Sequence, residues 1–144
     1  MHNEKDQTQR PVFVYGTLRT GETNYNSILQ FTTLAENPAV LHGYTLVGVG
    51  FPYAIAHPGR DVVGEVMDID PAMWPTVLAR LDGLEGYHGI AEDDHYTRIV
   101  HPVRCGDGNR EAYVYVASRG TRDCGWLDGL PEVPGGDWVT AHAA

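Results

Sequence analysis

The chain has 144 residues, 42% of them hydrophobic, which is the size and apolar content of one domain with one core. Its formal net charge is −9 and its ten Lys and Arg residues form no run, which argues against DNA, RNA or anionic membranes as partners and leaves small molecules, cationic ones included. No stretch approaches the ~20 apolar residues of a membrane span, residues 1–10 lack the apolar segment of a secretory signal, and Cys105 and Cys124 show no CxxC spacing, so a cytoplasmic protein with plain thiols is expected.

Residues 1–10 read as a disordered lead-in and residues 11–144 as a single domain. The 17 glycines and 9 prolines signal many turns and a strand-rich fold. Pro11-Val12-Phe13-Val14-Tyr15 is a short apolar run of β-formers that stops at a glycine, a buried strand entering a tight turn. Residues 24–34 carry Tyr25, Ile28, Leu29 and Leu34 at roughly helical spacing and predict a short helix. Residues 40–50 and 51–55, the turn His57-Pro58-Gly59-Arg60, and residues 62–69 read as a meander of short curved strands. Gly64 inside the last of these marks a bulge or a close backbone approach.

Asp70-Pro71 opens the clearest helix, with Asp at the N-cap and Pro at the first helical position. Met73, Trp74, Val77, Leu78 and Leu81 fall on one face, and the helix is predicted to end near Asp82-Gly83, leaving Leu84-Glu85-Gly86 irregular. Residues 96–103 and 111–117 read as strands, joined by the turn Gly106-Asp107-Gly108-Asn109 into a hairpin. The tail from Thr121 to Ala144, rich in Gly, Pro and Asp, is expected to wrap the domain and end in a short helix.

Four segments are candidates for chemistry. A strand ending in the turn Tyr15-Gly16-Thr17-Leu18-Arg19 points backbone N–H groups one way, as in an anion nest; an ordinary turn explains it equally simply. Residues 16–23 also approach a phosphate-binding loop. Glu22 stands where that loop needs Lys, and a carboxylate there repels phosphates, so nucleotide hydrolysis is rejected. Asp82 and Glu85 lie three residues apart around a helix end. Glu85 is either a surface carboxylate beside a cap or, between Leu84 and Gly86, a desolvated base with a raised pKa. The cluster His88, Glu92, Asp93, Asp94, His95 and His101 matches no metal-ligand spacing and reads as a polar loop. Tyr113 and Tyr115 share one face of a strand, as packing residues or as ligand-ordering hydroxyls. Taken singly, each segment favours its plainer explanation.

Their order along the chain is more specific. Val12-Phe13-Val14-Tyr15-Gly16-Thr17-Leu18-Arg19 resembles the opening signature of the γ-glutamyl cyclotransferase-like family. Gly50-Phe51-Pro52-Tyr53 and Val63-Gly64-Glu65-Val66-Met67 resemble its central turn and following strand. Leu81-Asp82-Gly83-Leu84-Glu85-Gly86 looks like the segment carrying the family's catalytic Glu. Tyr96-Thr97-Arg98, Ala112-Tyr113-Val114-Tyr115-Val116 and Gly136-Asp137-Trp138 are similar to its later elements. The resemblance spans roughly residues 11–139; the tail after Val116 is its least typical part.

The resemblance implies an α+β fold, a small mixed β-barrel with flanking short helices and the substrate at one mouth. It implies cyclisation of a γ-glutamyl amide to 5-oxoproline with release of an amine or amino acid, without cofactor or metal. Glu85 is the implied general acid/base. Tyr15, Gly16, Thr17 and Leu18 are the implied cradle for the substrate carboxylate, and Tyr115 the residue that orders the substrate or Glu85. Removal of a γ-glutamyl protecting group in a biosynthetic pathway is one implied setting. A non-catalytic ligand-binding or interaction module of the same fold is the competing expectation. The leaving amine and the oligomeric state stay open.

Overall fold

A computed structural model describes residues 7–48, 52–87, 96–106, 108–118, 121–122, 125 and 127–141. The element order is β1 (Val12–Val14), a π-helical segment (Tyr25–Leu29), β2 (Thr33–Val47), β3 (Tyr53–Ile69), α1 (Trp74–Glu85), β4 (Tyr96–Cys105), β5 (Gly108–Ala117), a 3₁₀ turn (Pro134–Gly136) and α2 (Trp138–Ala141). The five strands close in the order β1-β3-β2-β4-β5. The barrel is mixed because β1 runs parallel to β5, with Val12 beside Tyr113, while the other pairs are antiparallel. One seam is thin: β2 and β4 share the single paired position Val40/Arg104. The α+β mixed barrel with short flanking helices is the fold anticipated from the sequence.

The alternation of β1 and β5 divides the apolar side chains into two clusters. Phe13, Val114 and Val116 pack with Leu41, Val62 and Val66 in one of them. Val12, Val14, Tyr113 and Tyr115 join Trp74, Val77, Leu78 and Leu81 of α1 in the other. Helix α1 thus covers the strand face that carries Tyr115. Gly64 lets β3 approach β1 closely, since a Cβ there would lie 2.2 Å from the Val14 carbonyl oxygen. The close approach, one of the two roles predicted for this glycine, is the one found.

Three predicted elements differ in extent. The helix expected over residues 24–34 stops at Leu29: Gln30 is extended, Phe31 adopts φ +71°, and β-branched Thr32 and Thr33 lead into β2, which takes Leu34. The turn at residues 57–60 does not separate two strands. It is an outward irregularity within β3, where Ala56 faces Tyr44 and Asp61 faces His42. Helix α1 starts at Trp74, not Pro71. Asp70 caps a turn through Ala72 N–H (3.0 Å), and Pro75 occupies the first helical turn, where its missing donor costs nothing.

The same helix also runs two residues further than expected. Gly86 takes φ +65°, its N–H reaches the Gly83 carbonyl (3.3 Å), and Tyr87 N–H reaches the Asp82 carbonyl (2.9 Å). These two bonds form a Schellman cap. Glu85 is therefore the last helical residue, held at a defined exit rather than on an irregular segment.

The N-terminal residues 7–10 lie against the barrel. Trp74 Nε1 donates to the Gln7 carbonyl (2.9 Å), Gln9 Nε2 to the Ile69 carbonyl (2.8 Å), and Arg10 to the Tyr113 hydroxyl (2.8 Å). Gly136 is a second enforced glycine: a Cβ there would sit 1.9 Å from the Asp61 carbonyl oxygen. Among the described residues no helix is long and apolar enough to cross a membrane.

Candidate active site

The end of β1, the following turn and the end of α1 meet at a cavity of about 420 Å³, within the roughly 300–1,000 Å³ of small-ligand sites. All six site residues implied by the resemblance, Tyr15, Gly16, Thr17, Leu18, Glu85 and Tyr115, line it, whereas Asp82 and Tyr113 do not. Asn24, Pro52, Leu84 and Tyr96 complete much of the wall. The resemblance implied a substrate cradle and a carboxylate without showing that they share one space; in the fold they do.

The turn is stiffened by hydrogen bonds to its carbonyls and to the Thr17 hydroxyl. Arg19 N–H donates to the Gly16 carbonyl (3.0 Å), and Asn24 and Tyr25 N–H both donate to the Thr17 carbonyl (3.0 Å each). Asn24 Nδ2 also donates to Thr17 Oγ1 (2.6 Å). The carbonyls are thus engaged, whereas the N–H groups of Gly16, Thr17 and Leu18 have no acceptor among the described residues. Gly16 passes tightly by Pro52, and a Cβ would meet its Cγ at 3.0 Å. Arg19 braces the turn through Asp137, at 2.7 Å. Asp137 in turn accepts from Thr140 N–H (3.1 Å) at the start of α2. Burial pushes the Asp137 carboxyl up, but the Thr140 and Arg19 hydrogen bonds outweigh it and hold the carboxyl below its usual value. The closing element Gly136-Asp137-Trp138 therefore supports the turn from behind.

Glu85 is half-buried, and no group among the described residues donates a hydrogen bond to its carboxylate. Removal from water raises its pKa to about 7, and its place at the negative end of α1 acts in the same direction. A carboxyl that titrates near neutrality, unpartnered and facing a cavity, can take and return a proton there.

The Tyr115 hydroxyl does not hydrogen-bond Glu85. It donates to Asp82 Oδ1 at 2.6 Å, one helical turn earlier on α1. Asp82 is buried, and Arg98 Nη1 lies 3.6 Å from the same oxygen. The Arg98 guanidinium sits 4.6 Å from the Tyr113 ring centre and 5.2 Å from that of Tyr87. Tyr15 donates to the Tyr115 carbonyl (2.5 Å), and Tyr96 to the Pro52 carbonyl (2.7 Å). Tyr96 also stacks on Tyr53 at 4.9 Å.

Sequence reasoning missed Asn24, Tyr96, Arg98 and the bracing role of Asp137, and it read Asp82 only as a carboxylate near a helix end. The three-residue step from Asp82 to Glu85 was the available signal for Asp82, because it sets both on neighbouring positions of one helix. Most of the histidine and acid cluster, residues 88 and 92–95, lies outside the described residues. His101 is described: Tyr44 meets its ring edge-on at 5.3 Å, and it takes no part in the cavity.

The structure defines an α+β barrel whose cavity is lined both by backbone amides without an acceptor and by a partly desolvated carboxyl without a donor among the described residues. The family described as "Gamma-glutamyl cyclotransferase, AIG2-like" matches residues 12–140, and the chain belongs to it. A γ-L-glutamyl-butirosin B γ-glutamyl cyclotransferase from Niallia circulans is 29% identical over 109 residues, 75% of this chain and 67% of that one. A γ-glutamylaminecyclotransferase A from Danio rerio is 30% identical over 127 residues, 81% and 73% of the two chains. Among solved structures, protein ytfP from Escherichia coli aligns with TM-score 0.60 at 27% identity, covering 90% of this chain and 96% of its own. An AIG2-like protein from Mus musculus aligns with TM-score 0.59 at 25% identity, covering 84% and 83%.

Proposed function

We propose that this chain cyclises the glutamyl group of a γ-glutamyl amide to 5-oxoproline and releases the amine. The observation that carries the proposal is the Glu85 carboxyl, unpartnered among the described residues and raised to about 7, in the same cavity as the open amides of Gly16, Thr17 and Leu18. The amides bind the substrate α-carboxylate and bend the glutamyl group so that its α-nitrogen faces its own γ-carbonyl. For an intramolecular attack such positioning supplies ~7–11 kcal/mol of the barrier.

Glu85 takes one proton from the α-ammonium, and the freed nitrogen adds to the γ-carbonyl carbon. The protonated Glu85 then gives its proton to the departing nitrogen as the amide C–N bond breaks. The ring nitrogen sheds its second proton, which leaves with the amine as ammonium. No cofactor or metal enters these steps.

The name of the Niallia circulans relative specifies a γ-glutamylated compound. Removal of a γ-glutamyl group from an intermediate of a biosynthetic pathway is the setting we propose for this chain, in a cytoplasmic location. The acidic charge of −9 suits a cationic leaving amine by steering. Equal kcat/KM for neutral and cationic γ-glutamyl amides at low salt overturns that preference. Mass spectrometry for 5-oxoproline across a panel of γ-glutamyl compounds tests the reaction itself. Binding without 5-oxoproline in every case would instead identify a non-catalytic ligand-binding module.

A further inference from the structure

The cavity hydroxyls carry a polarity that follows from their partners. A tyrosine hydroxyl has one proton and two lone pairs, whereas a carbonyl or an ionised carboxylate only accepts. Tyr15 donates to the Tyr115 carbonyl and Tyr115 to Asp82 Oδ1, so both protons are committed to protein acceptors and each oxygen can only accept from a ligand. Arg98 Nη1 stands 3.6 Å from that same Asp82 oxygen. Tyr96 is oriented likewise by the Pro52 carbonyl.

We propose that Tyr15 and Tyr115 are specificity-determining acceptors that, with Glu85, hold the α-ammonium group of the substrate. This rests on the amino-acid substrate of the proposed reaction. An ammonium has three N–H donors, and two tyrosine oxygens and one carboxylate supply three acceptors. The cavity then offers two chemistries, donors from Gly16, Thr17 and Leu18 and acceptors from Tyr15, Tyr115 and Glu85, matching the two charges of an α-amino acid. Burial first, then Glu85 for Tyr15 and Asp82 ahead of Glu85 for Tyr115, hold both hydroxyls in the neutral, protonated form. The two tyrosines accordingly do not donate to the tetrahedral oxyanion; that task falls to backbone N–H groups.

The test compares two ligands that cannot cyclise: L-methionine sulfone, an α-amino acid of glutamyl length, and its des-amino counterpart. Calorimetry on the wild-type chain is expected to show the amino ligand bound at least tenfold tighter. In Tyr115→Phe that ratio falls about tenfold, the worth of a hydrogen bond to a charged group, while the des-amino ligand binds within twofold of wild type. Tyr15→Phe, which leaves the Asp82 bond in place, gives the same pattern and serves where Tyr115→Phe does not fold.

Absence of an amino-ligand preference in the wild-type chain overturns the proposal. So does a folded variant that weakens both ligands alike or keeps the ratio. 5-Oxoproline release with no such preference sinks this assignment alone. The preference without 5-oxoproline from any γ-glutamyl amide sinks the reaction and leaves the ammonium site standing.

Discussion

Glu85 and Glu132 both line cavities of the same barrel, and they are opposite in chemistry. Glu85 faces about 420 Å³ of space without a hydrogen-bond donor among the described residues, and burial raises its carboxyl to about 7. Glu132 edges a cavity of about 280 Å³, stands exposed, accepts from Thr45 and from Arg60 Nε at 3.1 Å, and is held below its usual value by the Thr45 bond first and Arg60 second. A carboxylate already satisfied by two donors has little use for a proton near neutrality. On the proposed reading a cavity and an acid are not sufficient; acid/base chemistry needs the acid left without a donor.

The largest effect expected follows from that contrast. Glu85→Gln keeps shape and removes the proposed base, so kcat is expected to fall by ~10²–10⁴-fold, read as 5-oxoproline release by the folded variant. Wild-type kcat/KM should decline on the acid side with an apparent pKa of about 7, because the free enzyme needs the ionised form. A wild-type rate in the variant, or an acid limb near pH 4.5, would break the assignment.

The next effect concerns the donor side of the cavity. Arg19 holds the turn through Asp137 at 2.7 Å and stands 3.9 Å from Glu65. Arg19→Ala is expected to raise KM about tenfold, because displacing the cradle by a fraction of an ångström loosens the substrate carboxylate. Steady-state kinetics beside circular dichroism checks it. An unchanged KM in a folded variant would show that Arg19 is only a surface brace.

How far this site was legible depends on the range of the interactions. The strand-turn at Tyr15-Gly16 and the helix end at Glu85 are local patterns, and both were readable. The Gly86 cap was close to readable, with the helix end misplaced by two residues because Gly83 is an equally good stop on local grounds. The start of α1 was misplaced because Asp70-Pro71 satisfies the rules for a helix entrance, yet Pro75 meets the same rules four residues later. Leu34 was assigned to a helix from its spacing, and the backbone reversal at Phe31, φ +71°, carries no apolar signature. Asp82, Tyr115 and Arg98 become one network only through pairings 33 and 16 positions apart along the chain, and no window of sequence reports those.

A third measurement sharpens the comparison through stability. The folded-state pKa of Glu85 is raised, so its favourable contribution is complete below pH 4.5 and is lost as pH rises through about 7. Above that, ionised Glu85 costs roughly 3 kcal/mol as an order of magnitude, at ~1.4 kcal/mol per pH unit. Glu85→Gln should therefore melt several degrees above the wild type at pH 8.5, with the gain vanishing toward pH 4.5. A constant difference in Tm across that range would mean the carboxyl is not desolvated. Loss of activity together with a pH-dependent gain in stability is the signature of a site held against folding preference for the sake of chemistry.

The smallest effect belongs to Glu132 and completes the contrast. Its lowered folded-state pKa means that its contribution is present above the ordinary carboxylate range and disappears as the solution is acidified through it. The group is exposed and its Arg60 partner is half in solvent, so salt screens the pair and the contribution is small. Glu132→Gln is expected to leave 5-oxoproline release within twofold of wild type. It should lower Tm slightly at pH 7 in low salt, and that difference should close at pH 3 or in 1 M salt. A large loss of activity in this variant would mean that the second cavity communicates with the first. A carboxylate tied down by two donors would then matter to the reaction through its position rather than its proton.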